Sequence, residues 1–455
     1  MLRLRVLVAS LVAVALLSTA CSSSDEPRPG GRATGDDGPA PAGTAATGPA
    51  TAATGATGET TTEPEPEGPI TEVALEAPRK GSFLVEGLYP RVESRCVNAT
   101  RGSITARYPG TLVVERADDG SLTLTAHVDF EDYLKGIAEV PPSWPMAALQ
   151  AQAIAARSYA LASTGWTGEG ETLDEPICST SSCQVYRGIP LDPSPDQRRW
   201  DRAVRTTRGE ILVYEGRPAT TFYSSTSNGR TYGNEDVFGG EPLPYLRPVT
   251  EEHDGASGLS HWRARVRFAD LAVFLEAAGE WDGSAITDVV VDGDTVTVRG
   301  AGGEVAMEES TFRAAINDYD SCLLPSRYPP GGLPTTIPSH WVSYSTRGAN
   351  LIAAGRGWGH GVGMVQWGAY GKARLGWSAS EILSFYYGGF EPQPFPEPGL
   401  IEVQIADGLE VLRLEPDAFG AVVDGEPLER GWVRIRGGEE LTVAARGPAP
   451  VSDLG

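Results

Sequence analysis

The chain has 455 residues, of which 40% are hydrophobic, so it can bury one large core or two smaller ones with tails. Its formal net charge of −23 argues against nucleic acid as a partner, because phosphate binding requires a basic face. The charge is compatible with an uncharged glycan as substrate and equally with a simple role in solubility.

The N-terminus has the pattern of an export signal. Arg3 and Arg5 precede an uncharged apolar run over residues 6–17, shorter than the roughly 20 residues that span a bilayer. The run ends at Cys21 in a context that resembles a bacterial lipoprotein cleavage site, although Ser18 stands where Leu is preferred. We predict a signal peptide over residues 1–21, with Cys21 lipidated as a membrane anchor. Ordinary cleavage and full secretion are the alternative, and either outcome places the protein outside the cytoplasm, in the cell envelope.

Residues 22–68 contain no large aliphatic or aromatic side chain and are mostly Ala, Thr, Gly, Pro and acids. Such a segment cannot bury enough apolar area to offset its ordering entropy, so we predict a disordered linker. As a flexible coil it would span roughly 40 Å. It would therefore hold the rest of the chain away from a membrane.

Regular structure is predicted to begin near residue 70. Alternating residues favour strands over 111–115 and 121–128, with the Asp119-Gly120 turn between them. A helix is predicted over 130–137. After a break at two prolines, Pro145 suits the first turn of a second helix that runs to about residue 162. Its apolar face consists of small residues at spacings of three and four, which predicts a central, closely packed helix.

The remaining chain is predicted to be strand-rich. Residues 208–316 suggest strands with short helices, and a capping box at Ser378–Glu381 opens another helix. After Pro398, alternating stretches predict a small β-rich appendage over residues 396–455. The predicted fold class is therefore α+β, a mixed, strand-rich domain over 69–395 with a central helix and this appendage.

Glu139 is the strongest catalytic candidate. It lies between the two predicted helices, among apolar neighbours and prolines. A partly desolvated carboxyl has a raised pKa, which suits a general acid near neutrality. The alternative is a structural role, in which Glu139 caps or ion-pairs with the next helix.

Two later segments carry candidate binding groups. Tyr223–Thr231 is rich in hydroxyls that could bond sugars or could only satisfy their own turn. In Gly355–Ala369, alternate glycines would clear one face of a strand, so that a ligand or another chain could approach closely. His360 and Gln366 then become candidate site groups, with a hydrogen-bonded structural His360 as the alternative.

Four cysteines follow Cys21. Export permits disulfides, and four cysteines allow three pairings among which the sequence does not choose. We favour Cys178–Cys183 as a small loop and Cys96–Cys322 as a long-range bond. The alternative is one disulfide and two buried thiols.

The segments around Glu139, the serine-rich turn and the glycine-rich run occur in that order over about 240 residues, and together they resemble the SpoIID/LytB family. Its members include lytic transglycosylases and proteins described as amidase enhancers. Val140 stands where Met is usual, Ser224 where His is frequent, and Val365 where Ser is usual. The resemblance covers roughly residues 70–395.

The resemblance implies a function. It assigns the role of catalytic acid to Glu139, in cleavage of peptidoglycan between N-acetylmuramic acid and N-acetylglucosamine with formation of 1,6-anhydro ends. Substrate contacts would come from Ser225, Thr226, Ser227, His360 and Gln366. The alternatives are a non-catalytic glycan-binding protein that stimulates an N-acetylmuramoyl-L-alanine amidase, or a structural wall anchor.

Some relatives hold zinc through Cys and His near residues 178–183. Here Ser182 stands where a His commonly precedes the second Cys, and two thiols do not make the usual four-ligand site. We therefore predict no metal and no cofactor.

Overall fold

The computed structural model describes residues 71–77, 81–90, 106–169, 176–190, 194–324, 326–328, 335–417, 420–428 and 431–446. The predicted signal peptide with Cys21, the linker over 22–68, Cys96 and the side chain of Cys322 lie outside this part. The predictions for them therefore remain predictions. Within the described residues, no helix is both long and apolar enough to cross a membrane.

The described residues form eight helices distributed along the chain. They are α1 (Phe130–Gly136), α2 (Met146–Ser163), α3 (Gln197–Thr206), α4 (Asn234–Val237), α5 (Phe268–Ala277), α6 (Glu309–Leu323), α7 (Gln366–Arg374) and α8 (Ala379–Tyr386). The predicted bounds of α1 and α2 are confirmed within a residue or two. The predicted capping box is also present at the start of α8, where Ser378 and Glu381 bond each other's backbone N–H groups.

The strands are mostly short, and they alternate with the helices, so the predicted mixed, strand-rich α+β class is confirmed. They are β1 (Glu72–Glu76), β2 (Ser82–Pro90), β3 (Ala106–Pro109), β4 (Thr111–Arg116), β5 (Leu122–Asp129), β6 (Ile177–Cys178), β7 (Glu210–Ile211), β8 (Val213–Tyr214), β9 (Arg217–Pro218), β10 (Tyr223–Ser224), β11 (Trp262–Arg267), β12 (Ile286–Asp292), β13 (Thr295–Gly300), β14 (Gly303–Glu308), β15 (Val342–Thr346), β16 (Asn350–Gly355), β17 (Met364–Val365), β18 (Gln393–Pro394), β19 (Leu400–Pro416), β20 (Ala421–Val423), β21 (Glu426–Leu428), β22 (Trp432–Arg436) and β23 (Thr442–Arg446).

One large sheet has the strand order β21-β20-β1-β4-β5-β19-β2-β3, with β6, β22 and β23 attached to it. Its hairpin β4–β5 turns at Gly120, as predicted. Along β5 every second residue is fully buried against the helices, which matches the period of two that a half-buried strand requires. The sheet thereby forms one wall of the main core.

The C-terminal segment is β-rich, as predicted, but it is not an appendage. The long strand β19 pairs antiparallel with both β5 and β2, in the middle of the large sheet. Its alternate apolar residues, including Val403, Leu412 and Leu414, are fully buried in the main core. A sheet pairs strands regardless of their separation along the chain, so a boundary drawn at Pro398 from local composition divides one structural unit.

A second core lies in the middle of the chain. Helices α5 and α6 pack against the three-stranded sheets β11-β16-β15 and β12-β13-β14. The inward residues of β16, Leu351 and Ala353, are at most 1% exposed. This unit leads through β16 directly into the glycine-rich run.

Helix α2 is central, as its sequence predicts. Thirteen of its 18 residues are buried, and its alanines let the main core pack on one side and α7 and α8 on the other. Buried inside is Arg157, whose guanidinium contacts Glu131 at 2.8 Å and Glu397 at 2.8 Å. It also donates to the carbonyl of Thr207 at 2.8 Å. Arg157 therefore ties α1, α2 and the segment before β19 together.

Replacing Arg157 with Met is expected to lower the free energy of unfolding by about 3–5 kcal/mol, because the buried carboxylate of Glu131 and the half-buried one of Glu397 lose their common partner. Chemical denaturation measures this loss. Arg208 is a matched control, since it lies 3.6 Å from the same Glu397 but its side chain is 70% exposed. Arg208→Met should cost less than about 1 kcal/mol. Equal losses in the two variants would contradict the structural role of Arg157.

Candidate active site

Glu139 lies between α1 and α2, and its backbone runs antiparallel to residues 185–187. The N–H of Ala138 donates to the carbonyl of Val185 at 2.9 Å, and the N–H of Arg187 donates to the carbonyl of Gly136 at 2.9 Å. This pairing places the N–H of Val185 at 2.7 Å from Glu139 Oε1. The neighbouring segment therefore fixes the direction of the carboxyl group.

The other carboxyl oxygen of Glu139 faces the glycine-rich segment. Gln366 Nε2 lies 3.5 Å from Glu139 Oε2, a long contact, and 3.3 Å from Gln152 Oε1. Gln366 is the first residue of α7, and Gln152 comes from the middle of α2. The structure thus brings Gln366 and Glu139 together, although 227 residues separate them in sequence.

Burial raises the pKa of Glu139 from its ordinary value to about 7. The hydrogen bonds from Val185 and Gln366 and the charge of Arg187 oppose this rise but do not cancel it. The side chain is half-buried. A carboxyl with this pKa is present in both protonation states near neutral pH, as a group that first donates and then accepts a proton requires.

Three tyrosines that the sequence did not single out lie near Glu139: Tyr133 and Tyr159 are buried, and Tyr223 is half-buried. Gln184 is fully buried; its amide donates to Tyr133 Oη at 2.9 Å and accepts from Tyr223 Oη at 2.6 Å. Burial, with a further contribution from the charge of Glu139, raises the pKa values of Tyr133, Tyr159 and Tyr223 above their usual range. Three neutral phenols therefore accompany the carboxyl. The only sequence signal for Tyr133 and Tyr223 was their position: Tyr133 lies six residues before Glu139, and Tyr223 begins the hydroxyl-rich segment Tyr223–Thr231.

The serine-rich turn makes mostly internal contacts. The hydroxyl of Thr226 lies 2.8 Å from that of Ser257, and Ser227 donates through both N–H and Oγ to Asp254 at 2.8 Å. Both residues are buried. Ser225 is half-buried, with its hydroxyl 3.2 Å from that of Thr226. These contacts favour a structural role for Thr226 and Ser227 and leave Ser225 as the predicted substrate contact.

The glycine-rich run lies beside the serine-rich segment, because β10 and β17 pair in parallel. Its alternate glycines are not extended as expected: Gly357, Gly359, Gly361 and Gly363 all have positive φ. A Cβ at Gly363 would lie 2.0 Å from the carbonyl oxygen of Phe222. Of the two expected occupants of the cleared space, a ligand or another stretch of chain, the structure shows the second.

Gly363→Ala is expected to lower the free energy of unfolding by about 2–4 kcal/mol, from the left-handed backbone and the overpacking against Phe222. Gly376 is a matched control, with a φ of +94° and no atom within 4 Å of an added Cβ. Gly376→Ala should therefore cost only about 1–2 kcal/mol. Thermal unfolding of both variants distinguishes the clash from the backbone strain. Similar losses would show that close approach of the two segments is unimportant.

Both ring nitrogens of His360 form hydrogen bonds with backbone groups. Its Nδ1 accepts from the N–H of Val362 at 3.0 Å, so Nε2 carries the proton and donates to the carbonyl of Tyr223 at 2.9 Å. Burial lowers the pKa of His360 to about 4, so the ring is neutral at physiological pH. This arrangement favours the structural alternative for His360, as a brace between the two segments.

Cys178 and Cys183 form a disulfide, as predicted. The loop that it closes ends just before Gln184 and Val185, which contact Tyr133 and Glu139 respectively. A zinc site of the kind described for some relatives does not fit these residues. Both thiols are joined to each other, and Ser182 replaces a His ligand.

These features define a class of protein: a mixed α+β fold in which a half-buried glutamate with a pKa near neutrality lies beside a glycine-rich turn and a serine-rich turn. Comparison with known proteins supports this description. The family model described as Stage II sporulation protein matches residues 118–214, which include Glu139. The chain belongs to the SpoIID/LytB family.

Individual relatives extend the similarity beyond that range. An uncharacterized protein of Brachyspira hyodysenteriae is 30% identical over 62% of this chain and 72% of its own length. The stage II sporulation protein D of Bacillus subtilis is 25% identical over 64% of this chain and 81% of its own. The amidase enhancer of Bacillus subtilis is 29% identical over 56% of this chain, but the match spans only 39% of that protein.

Proposed function

We propose that this protein is a peptidoglycan lytic transglycosylase that acts in cell wall remodelling, with Glu139 as the acid and base. The observation that carries the proposal is a carboxyl with a pKa of about 7 at the meeting point of the family's sequence segments. The names of the relatives, an amidase enhancer and a sporulation protein, support a role at the cell wall.

In the proposed reaction, protonated Glu139 donates its proton to the glycosidic oxygen between N-acetylmuramic acid and N-acetylglucosamine. The bond from that oxygen to C1 of the muramic residue breaks, and the oxygen leaves as a hydroxyl of N-acetylglucosamine. The C6 hydroxyl of the muramic residue attacks C1 and gives its proton to the Glu139 carboxylate. A 1,6-anhydro ring results, no water is consumed, and Glu139 regains its proton.

The surroundings of Glu139 favour this single-carboxylate scheme. Glycosidases of the usual type need a second carboxylate about 5–10 Å away. Of the described acids nearby in sequence, Glu131 is bound to Arg157 and Asp132 to Lys135 at 2.6 Å. Among the described residues, no other carboxylate contributes to the raised pKa of Glu139. An internal nucleophile removes the need for one.

Product analysis tests the proposal. Purified protein is incubated with glycan strands freed of peptides, and the fragments are analysed by mass spectrometry. Anhydro-muramic ends are expected, each 18 Da lighter than a hydrolysed end because no water is added. Fragments that all carry reducing, hydrated ends would exclude the transglycosylase reaction while leaving a hydrolase possible in its place.

A second candidate function is favoured by the similarity to the amidase enhancer. In this scheme the protein binds glycan without cleaving it and stimulates an N-acetylmuramoyl-L-alanine amidase. Stimulation of a purified amidase that persists in Glu139→Ala, together with no cleavage by the wild type, would support this function over the first.

We also propose that the protein is exported and anchored to a membrane at its N-terminus. The signal peptide, lipidation of Cys21 and the linker over residues 22–68 would tether the domain to a membrane while it reaches the wall. Release of Cys21→Ser into the medium, with wild type retained in membranes, is the result that this arrangement requires.

A further inference from the structure

The outer face of the sheet β11-β16-β15 carries an arginine-lined hollow. The register pairs Arg263 with Ala354 and Arg265 with Ile352, so these side chains share the face opposite the second core. The hollow has a volume of about 500 Å³ and is lined by Arg263, Ala264, Arg265, Arg347, Asn350 and Ile352. Arg263 and Arg265 thus lie on the edge strand β11, and Arg347 directly follows the other edge strand, β15.

These arginines differ from their neighbours. Arg267, on the same strand, is held by Asp270 at 2.7 Å, and Arg313 on α6 lies 3.5 Å from Glu309. Arg263, Arg265 and Arg347 are exposed, and no carboxylate among the described residues lies within ion-pair distance of them. Three guanidinium groups without an ion pair among the described residues therefore share one hollow, in a chain whose net charge is −23.

At the centre of this outer face, the side chain of Ile352 is shielded from solvent. Ile352 points outward yet is only 7% exposed, as expected if the aliphatic stems of the flanking arginines cover it. Ala354 and Asn350 leave room on either side. Because outward residues on a strand are about 7 Å apart, the guanidinium groups of Arg263 and Arg265 can each engage a separate anionic group.

We propose that this hollow binds carboxylates carried by the glycan that the candidate active site cleaves, an inference that rests on the proposed function. The planar guanidinium matches a carboxylate bidentately. β16 leads from the hollow into the glycine-rich run, and the five residue-to-residue steps from Ala354 to Gly359 span at most about 18 Å. That run leads into Gln366, whose amide contacts Glu139, so the hollow and the candidate active site are joined by one continuous segment of the chain. The carboxylates have two sources: free lactyl groups on peptide-free muramic residues, or the peptides attached to intact ones.

Binding measurements in the full chain test the inference. Glu139→Gln is used as background so that substrate is not consumed, and Arg263→Gln/Arg265→Gln/Arg347→Gln is added to it. The probes are peptide-free strands, peptide-bearing strands and a neutral N-acetylglucosamine oligomer. The triple variant should bind carboxylate-bearing strands about tenfold more weakly, with a smaller salt dependence, and should bind the neutral oligomer unchanged. The strand form that shows the larger loss identifies the source of the carboxylates.

Arg202→Gln/Arg217→Gln/Arg436→Gln is the matched control, because it removes the same charge from exposed arginines elsewhere. Equal losses in the two triple variants, or unchanged binding in the first, would overturn the inference. If the wild type gives anhydro products but the first triple variant binds carboxylate-bearing strands normally, carboxylate binding at the hollow is refuted and the transglycosylase reaction is not. If the first triple variant loses binding but the wild type gives hydrated products, the transglycosylase reaction is refuted and carboxylate binding at the hollow is supported.

Discussion

Glu139→Gln is expected to abolish glycan cleavage and to leave the fold intact. Gln has the size of Glu and can still accept from the N–H of Val185, but it has no proton to donate to the leaving oxygen. General acid–base catalysis contributes about 10²–10⁴ in rate, so activity should fall at least a hundredfold. Release of soluble fragments measures the rate, and circular dichroism verifies folding.

The pH profile of the wild type provides an independent check on the same group. If protonated Glu139 is the acid, activity should fall about tenfold for each pH unit above a pKa of about 7. Asp132→Asn is the matched control, because Asp132 lies in the same segment but is exposed and paired with Lys135. It should retain full activity. A Glu139→Gln variant with more than a tenth of wild-type activity would refute the assignment.

The same substitution is expected to stabilise the protein at alkaline pH. The unfolded carboxyl ionises near 4.5 and the folded one near 7, so between these values the folded state binds more protons. Stability therefore decreases as pH rises through this window and is constant above it. The difference between the two pKa values corresponds to about 3 kcal/mol. Glu139→Gln should match the wild type near pH 4 and exceed it by about that amount at pH 8.

Denaturant unfolding from pH 8 down to below pH 4 measures this effect, and Glu381 is a control of opposite sign. Backbone hydrogen bonding at Ser378 lowers the pKa of Glu381, so its contribution is present above pH 4.5 and is lost as pH falls through its folded value. Glu381→Gln should therefore lower the free energy of unfolding at neutral pH and should have no effect on it in acid. A pH-independent difference for Glu139→Gln would show that its carboxyl is solvated and unsuited to acid catalysis.

Local signals predicted the local features of the fold. Gly120 in a hairpin turn, Pro145 at a helix start and the Ser378 capping box depend on a few adjacent residues, and all three are present. The burial of α2 was also predictable, because its alanine-rich face needs a close neighbour. These features follow from backbone preferences and side-chain periodicity, which a short window contains.

Pairing between distant segments was not predictable in the same way. Composition separated β19 from the domain, whereas hydrogen bonding places it between β5 and β2. Hydroxyls and a histidine look alike in sequence whether they face a ligand or a neighbouring loop. Thr226, Ser227 and His360 bond within the protein because Ser257, Asp254 and the backbone of Tyr223 lie against them.

The sequence by itself determined which chemical groups are available: a glutamate between two helices, a glutamine at the start of a third, and the glycines that permit a tight turn. Only the tertiary structure decided their properties. Burial of the carboxyl raises the pKa of Glu139, and hydrogen bonds from Val185 and Gln366, both distant in sequence, oppose that rise. A carboxyl's identity is local, but its affinity for a proton is set by everything packed around it.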